Sequence, residues 1–176
     1  MKSKKGDLWI SAVLYLTLGV IAISLILGAA VPFVNKIKDR NTVAQTKDLM
    51  FTLDETIRRV ANEGPGSQRE LSPFTIGAGK INIDQDLEQI NWTLETEALI
   101  QEPNIALKEG VLTLLLEETR TEGKYNMMIS TTYTNIDLNL TSTLNNPFAG
   151  TFTVLVRHSG RFTTTTNKPE IEIHMQ

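Results

Sequence analysis

The stretch Leu8–Val34, LWISAVLYLTLGVIAISLILGAAVPFV, runs for 27 residues without a charged side chain. About 20 apolar residues suffice to cross the hydrocarbon core of a bilayer. A surface helix of a soluble domain needs only one apolar stripe, so a run that is apolar on every side points to a nonaqueous surrounding. Basic residues flank it at both ends: Lys2, Lys4 and Lys5 before, Lys36, Lys38 and Arg40 after. The positive-inside rule is nearly balanced, and the amino group together with the offset by Asp39 tilts it towards an inside N-terminus. A cleaved secretory signal fits poorly, because its apolar region spans about 7–15 residues. Gly28-Ala29-Ala30 mimics a small-residue cleavage site only beyond a run that is already too long.

The helical pattern continues after the charges return. Val43, Thr46, Met50, Leu53, Ile57 and Val60 occupy successive a and d positions of a heptad. Lys47, Asp48, Asp54, Glu55, Arg58 and Arg59 are expected to form the wet face. The helix should stop near Asn62, since Gly64 suits a C-cap and Pro65 cannot continue it. A single helix over Asp7–Asn62 would measure about 80 Å at 1.5 Å per residue. Pro32 lies inside it and is expected to kink or loosen it. Ser24 and Gly28 form one small-xxx-small pair, which permits close helix approach.

After Gly64-Pro65-Gly66-Ser67, threonine and β-branched residues dominate, with turn signals at short intervals. Ile81-Asn82-Ile83, Gln89–Glu97, Val111–Leu116, Lys124–Thr134, Ile136–Leu140, Phe152–Val156 and Ile171–Ile173 read as strands. Seven to nine short strands predict an antiparallel sandwich or a strongly curled sheet. The fold class is therefore α+β: a long N-terminal helix, membrane half then amphipathic half, followed by an antiparallel β-sandwich-like head. The boundaries are 7–34 for the transmembrane helix, 35–63 for its amphipathic extension and 64–176 for the head.

Chemistry-bearing motifs are sparse. The chain has no Cys and only two histidines, His158 and His174, which excludes thiolate zinc sites, a Cys nucleophile and a disulfide framework. Net charge is -3, so no basic field points to nucleic acid. Glu117 and Glu118 are adjacent and would face opposite sides of a strand. His158 precedes Ser159-Gly160 and reads as a surface histidine at a turn. Asp84-Gln85-Asp86 lacks the Gly and terminal Glu of a calcium loop. Gly77-Ala78-Gly79-Lys80 lacks the spacing of a phosphate-binding loop, and Thr163–Thr166 reads as a solvent-facing polar run. No catalytic residue, metal ligand or cofactor is expected, and the chain is not read as an enzyme. Two N-x-[ST] triplets, Asn91-Trp92-Thr93 and Asn139-Leu140-Thr141, make Asn91 and Asn139 candidate glycosylation sites in an exported domain.

Lys4-Lys5-Gly6-Asp7, followed at once by the apolar run, resembles the class III signal of archaeal type IV pilins and archaellins. The helix end with Gly64-Pro65-Gly66-Ser67-Gln68-Arg69 is similar to archaeal pilin-like proteins as well. The resemblance covers Met1 to about Arg69. It implies a leader of residues 1–6, cut between Gly6 and Asp7, which leaves 170 of the 176 residues. Bacterial pilins carry a Glu at the fifth mature position; here that position is Ser11, which favours the archaeal branch. The resemblance implies a major or minor subunit of a cell-surface filament, assembled through the apolar helix. Its partners would be membrane lipid, other copies of itself, a prepilin peptidase and the assembly machinery, without nucleic acid. It would occupy the cell membrane before assembly and the extracellular filament afterwards. The alternative is a permanently membrane-anchored β domain that binds a glycan or a partner protein.

Overall fold

The computed structural model describes residues 4–164 and 167–176, with side chains from Trp9 onward. The chain divides into two compact units, Met1–Lys38 and Asp39–Gln176. Helix α1 covers Lys4–Glu63, so it contributes to both. It starts three residues before the expected Asp7 and ends one after the expected Asn62. Helical structure is unbroken across Pro32, although that residue has no N–H to give to the carbonyl of Gly28.

In the first unit the helix stands alone. Its hydroxyls are turned onto its own backbone: Thr17 Oγ1 donates to the Val13 carbonyl and Ser24 Oγ to that of Val20, both at 2.8 Å. Such back-bonding satisfies a polar side chain without an outside partner.

The second unit is the α+β head. Eight strands follow the helix: β1 Gln68–Asp84, β2 Gln89–Thr96, β3 Leu107–Glu109, β4 Leu112–Glu118, β5 Tyr125–Thr132, β6 Asp137–Leu140, β7 Phe148–Phe162 and β8 Pro169–Met175. They form one sheet in the order β3-β4-β5-β2-β1-β7-β8-β6. Every pairing is antiparallel except β6 with β8, which is parallel. The second layer of the head is the helix. All six heptad positions, Val43, Thr46, Met50, Leu53, Ile57 and Val60, are buried. They share one core with alternate strand residues such as Ile90, Trp92 and Leu94 on β2 and Leu112, Leu114 and Leu116 on β4. The intervening residues face outward, as expected for an antiparallel sheet covered on one side. Trp92 is fully buried, donates from Nε1 to the Ala78 carbonyl at 2.9 Å and packs against Phe74 with ring centroids 6.2 Å apart.

Two glycines hold positions that other residues fill poorly. Gly64 ends the helix at φ +86, its N–H bonding the Val60 carbonyl at 3.3 Å, and Ser67 Oγ adds a second bond to that carbonyl at 2.8 Å. Gly79 has φ +75, and a Cβ there would meet the Thr93 carbonyl oxygen at 2.1 Å. Gly77–Lys80 is part of a strand. It lies within β1, where the register shifts between Ile76 and Ile81. Ser159-Gly160 likewise lies inside β7, beside a register shift between His158 and Phe162.

Two expectations are corrected by burial. Asp54, assigned to the wet face, is 4% exposed because its side chain is held between Arg58 on the same helix and Thr131 of β5, an inner strand of the sheet. His158, read as a surface residue, is 2% exposed because β7 continues through it and turns it inward.

Candidate functional site: the uncovered apolar helix

Between Trp9 and Val34, 16 large hydrophobic side chains are exposed, each by 51% or more. At about 1.5–3 kcal/mol per buried side chain, covering them is worth tens of kcal/mol. The cause is the sequence itself. Apolar residues occupy every helical face, so no single packing surface could hide them, and the head's core is already filled by the heptad positions. Among the described residues this is one helix long and apolar enough to cross a membrane, and none of its most apolar 18-residue window is buried. A core helix of a soluble protein would be covered, so the long apolar N-terminal helix is consistent with membrane anchoring.

The expected leader junction, Gly6–Asp7, lies within the first turns of α1, while Met1–Ser3 lie outside the described residues. Pro32 is inside the helix near the end of the run. The two candidate acceptor asparagines sit in different settings. Asn91 is on β2, in mid-sheet, paired with Asn82 of β1 and Ser130 of β5. It is half-buried, its Nδ2 donates to Gln89 Oε1 at 3.3 Å, and its Oδ1 is buried without a hydrogen-bond partner. Asn139 is on β6, an edge strand, and its Nδ2 reaches Glu170 Oε1 at 3.4 Å.

The head contains polar clusters that the sequence did not announce. Asp54 accepts both its carboxylate bonds from Arg58 Nε, at 3.0 and 2.9 Å, and a longer one from Thr131 Oγ1 at 3.4 Å. The Arg58 guanidinium stacks over the Tyr133 ring, 5.2 Å from its centroid. Tyr133 is buried and its hydroxyl lacks a hydrogen-bond partner. Burial, reinforced by the Asp54 charge, pushes the phenol well above its ordinary value. The bond to Asp54 raises the Arg58 pKa against an opposing effect of burial. The i,i+4 spacing of Asp54 and Arg58 is a signal for the pair; the aromatic floor under Arg58 comes from Tyr133, just past the end of β5 and far along the chain, and left none.

A second cluster joins the β1–β2 turn to the sheet edge. Glu88 Oε2 accepts the amide of Leu138 on β6 at 2.6 Å. Burial raises the Glu88 pKa, the Leu138 amide opposes it, and nearby Asp137 adds to the rise. Asp137 itself accepts a hydrogen bond from Thr163 Oγ1; Thr165 and Thr166 of the polar run lie outside the described residues. Asp84 Oδ1 accepts the amides of Asp86 and Leu87 at 3.1 and 3.0 Å, so this carboxylate shapes the turn. Glu117 and Glu118 end β4, both exposed. His158 Nδ1 accepts the Gly160 amide at 3.0 Å. His174 Nδ1 lies 3.2 Å from the Thr141 carbonyl oxygen. Among the described residues no three His, Cys, Asp or Glu side chains converge as metal ligands.

No protein-family model matches the sequence, and no curated protein and no solved structure matches it.

Proposed function

We propose that the chain is a structural subunit, major or minor, of an archaeal type IV pilus-like surface filament. The leader Met1–Gly6 is removed, the apolar helix holds the subunit in the membrane, and the same helix then packs among copies of itself. The reading rests first on the Lys4-Lys5-Gly6-Asp7 start ahead of an uncharged run. The observation that carries it further is the division of labour within α1. Its last third is consumed by the head's own core, while the preceding run is left entirely uncovered. An uncovered apolar helix has two places to go, lipid or other apolar helices, and moving between them costs little because each removes the same surface from water. Contacts repeated head to tail give an open helical array.

The test is the mature N-terminus. Mass spectrometry of protein from its native cells should find chains beginning at Asp7. Gly6→Phe should leave the longer form in the membrane and abolish filaments. An intact Met1 or Lys2 start in wild type, or normal maturation of Gly6→Phe, would refute the assignment. An intact start together with stable membrane residence would favour the permanently anchored binding domain instead.

A further inference from the structure

The connection from β5 to β6 and the start of β8 meet the last turns of α1 around a recess of about 290 Å³. Arg58, Ala61 and Asn62 line it from the helix, and Tyr133, Asn135, Ile136 and Pro169 from the other side. All of it lies within the head. Its polar groups are unspent. Arg58 gives only Nε to Asp54, and its two terminal nitrogens have no partner among the described residues. The side chains of Asn62 and Asn135 are exposed and enter no hydrogen bond among the described residues. Arg58 is also fixed in place, with Asp54 on one edge and the Tyr133 ring under its face. A planar guanidinium held in this way presents a ready pair of parallel donors. Each carboxamide adds a donor and an acceptor. The rest of the lining is apolar.

Charge decides what kind of molecule fits. No carboxylate lines the recess. Around it the ions are matched: Asp54 balances Arg58, Glu55 pairs with Arg59, Glu63 with Arg69 and Glu170 with Arg161. Next to Ile136, Asp137 accepts from Thr163 Oγ1, and next to Pro169, Lys168 is attracted to Glu88. The last carbonyls of α1 add a partial negative charge near Asn62. An anion therefore gains no net pull from a cation already balanced, and a cation is repelled by Arg58. A neutral molecule with several hydroxyls and one apolar face matches the lining. Ligand pockets run from roughly 300 to 1,000 Å³, so a recess of about 290 Å³ suits a single sugar ring.

We propose that this recess binds the terminal sugar unit of a neutral polysaccharide. The Arg58 fork and the carboxamides of Asn62 and Asn135 bond its hydroxyls, and the C–H face of the ring packs on Ala61 and Pro169. Because every lining residue belongs to the head, the inference is independent of whether the chain polymerises or stays a lone anchor.

The test uses the full chain in lipid nanodiscs, without sugar-based detergent. Saturation-transfer NMR is recorded with the methyl glycosides of glucose, galactose, mannose and N-acetylglucosamine in turn. Glucuronate serves as the anionic probe and empty nanodiscs as the blank. At least one neutral glycoside should receive saturation well above the blank, and more than glucuronate does. Asn62→Ala and Asn135→Ala should each weaken that binding about fivefold, as the loss of one hydrogen bond implies. Gln85→Ala, exposed in the β1–β2 turn, should leave it unchanged. Both asparagines are exposed, so the variants should melt with the parent; Asn62→Ser or Asn135→Ser replaces any that does not. Silence from all four glycosides, a glucuronate response as strong as theirs, or binding that survives both asparagine substitutions would each overturn the proposal.

Discussion

Residues 9–34 and 43–60 belong to one helix and meet opposite fates. The first stretch is the more hydrophobic, and its large side chains are all exposed; the second is studded with charges, and its six heptad positions are buried. Hydrophobicity alone therefore does not decide what a chain covers. A stripe two positions wide per heptad matches one face of the sheet, and the head closes over it. A helix apolar all round cannot be closed over by a sheet that touches one side, so its partner must come from outside the chain. Pattern assigns the partner, and composition sets only how much is at stake.

The largest test of this contrast is to cut between the two stretches. A chain starting at Asp39 keeps every residue of the core cluster and should be monomeric and soluble without detergent, while the full chain should need detergent or lipid. Size-exclusion chromatography of both decides it; aggregation of the shortened chain would mean that the head depends on the run. Next in size are matched truncations of a side chain. Leu53→Ala should destabilise the head by about 2–5 kcal/mol, because Leu53 is 2% exposed. Ile21→Ala should change head unfolding by less than about 0.5 kcal/mol, because Ile21 is 51% exposed. Denaturant unfolding in detergent followed through the Trp92 signal measures both, and equal effects would break the contrast.

The smallest effect is electrostatic and confined to the head. Glu88 has its pKa raised above the ordinary 4.5, first by burial and further by Asp137. A carboxyl raised in the folded state stabilises in its neutral form. That contribution is fully present below the unfolded value and is lost as pH rises through the folded one. Glu88→Gln keeps an acceptor for the Leu138 amide but cannot ionise. It should raise stability at neutral pH by a few tenths of a kcal/mol at most, since a carboxyl this open to water is screened, and flatten the dependence on pH above 4.5. Thermal melts of both proteins across that range test it; an unchanged slope would show that Glu88 carries no such linkage.

What was legible followed from local period. The uncharged run, the heptad from Val43 to Val60, the Gly64 stop and the alternation of Ile90, Trp92 and Leu94 each express a repeat that a few residues reveal. The parallel pairing of β6 with β8 did not, because partner choice between distant strands leaves no local mark. A charge on a helix flank is normally wet; the dry place for Asp54 comes from the end of β5, with Thr131 on the strand and Tyr133 just beyond it. Ser159-Gly160 reads as a turn yet lies inside β7, because glycine marks turns and bulges alike and the neighbouring strand decides between them. The candidate site divides the same way. The apolar surface was plain in the sequence, whereas the settings of Asn91 in mid-sheet and Asn139 at an edge needed the strand order.

Thr17 and Ser24 spend their hydroxyls on carbonyls one turn back along the helix. The rod therefore offers its surroundings no directional bond at either position, only contour. At those two levels a neighbour meets only shape, whereas the exposed indole of Trp9 and phenol of Tyr15 keep polar groups by which the rod can still be held in register.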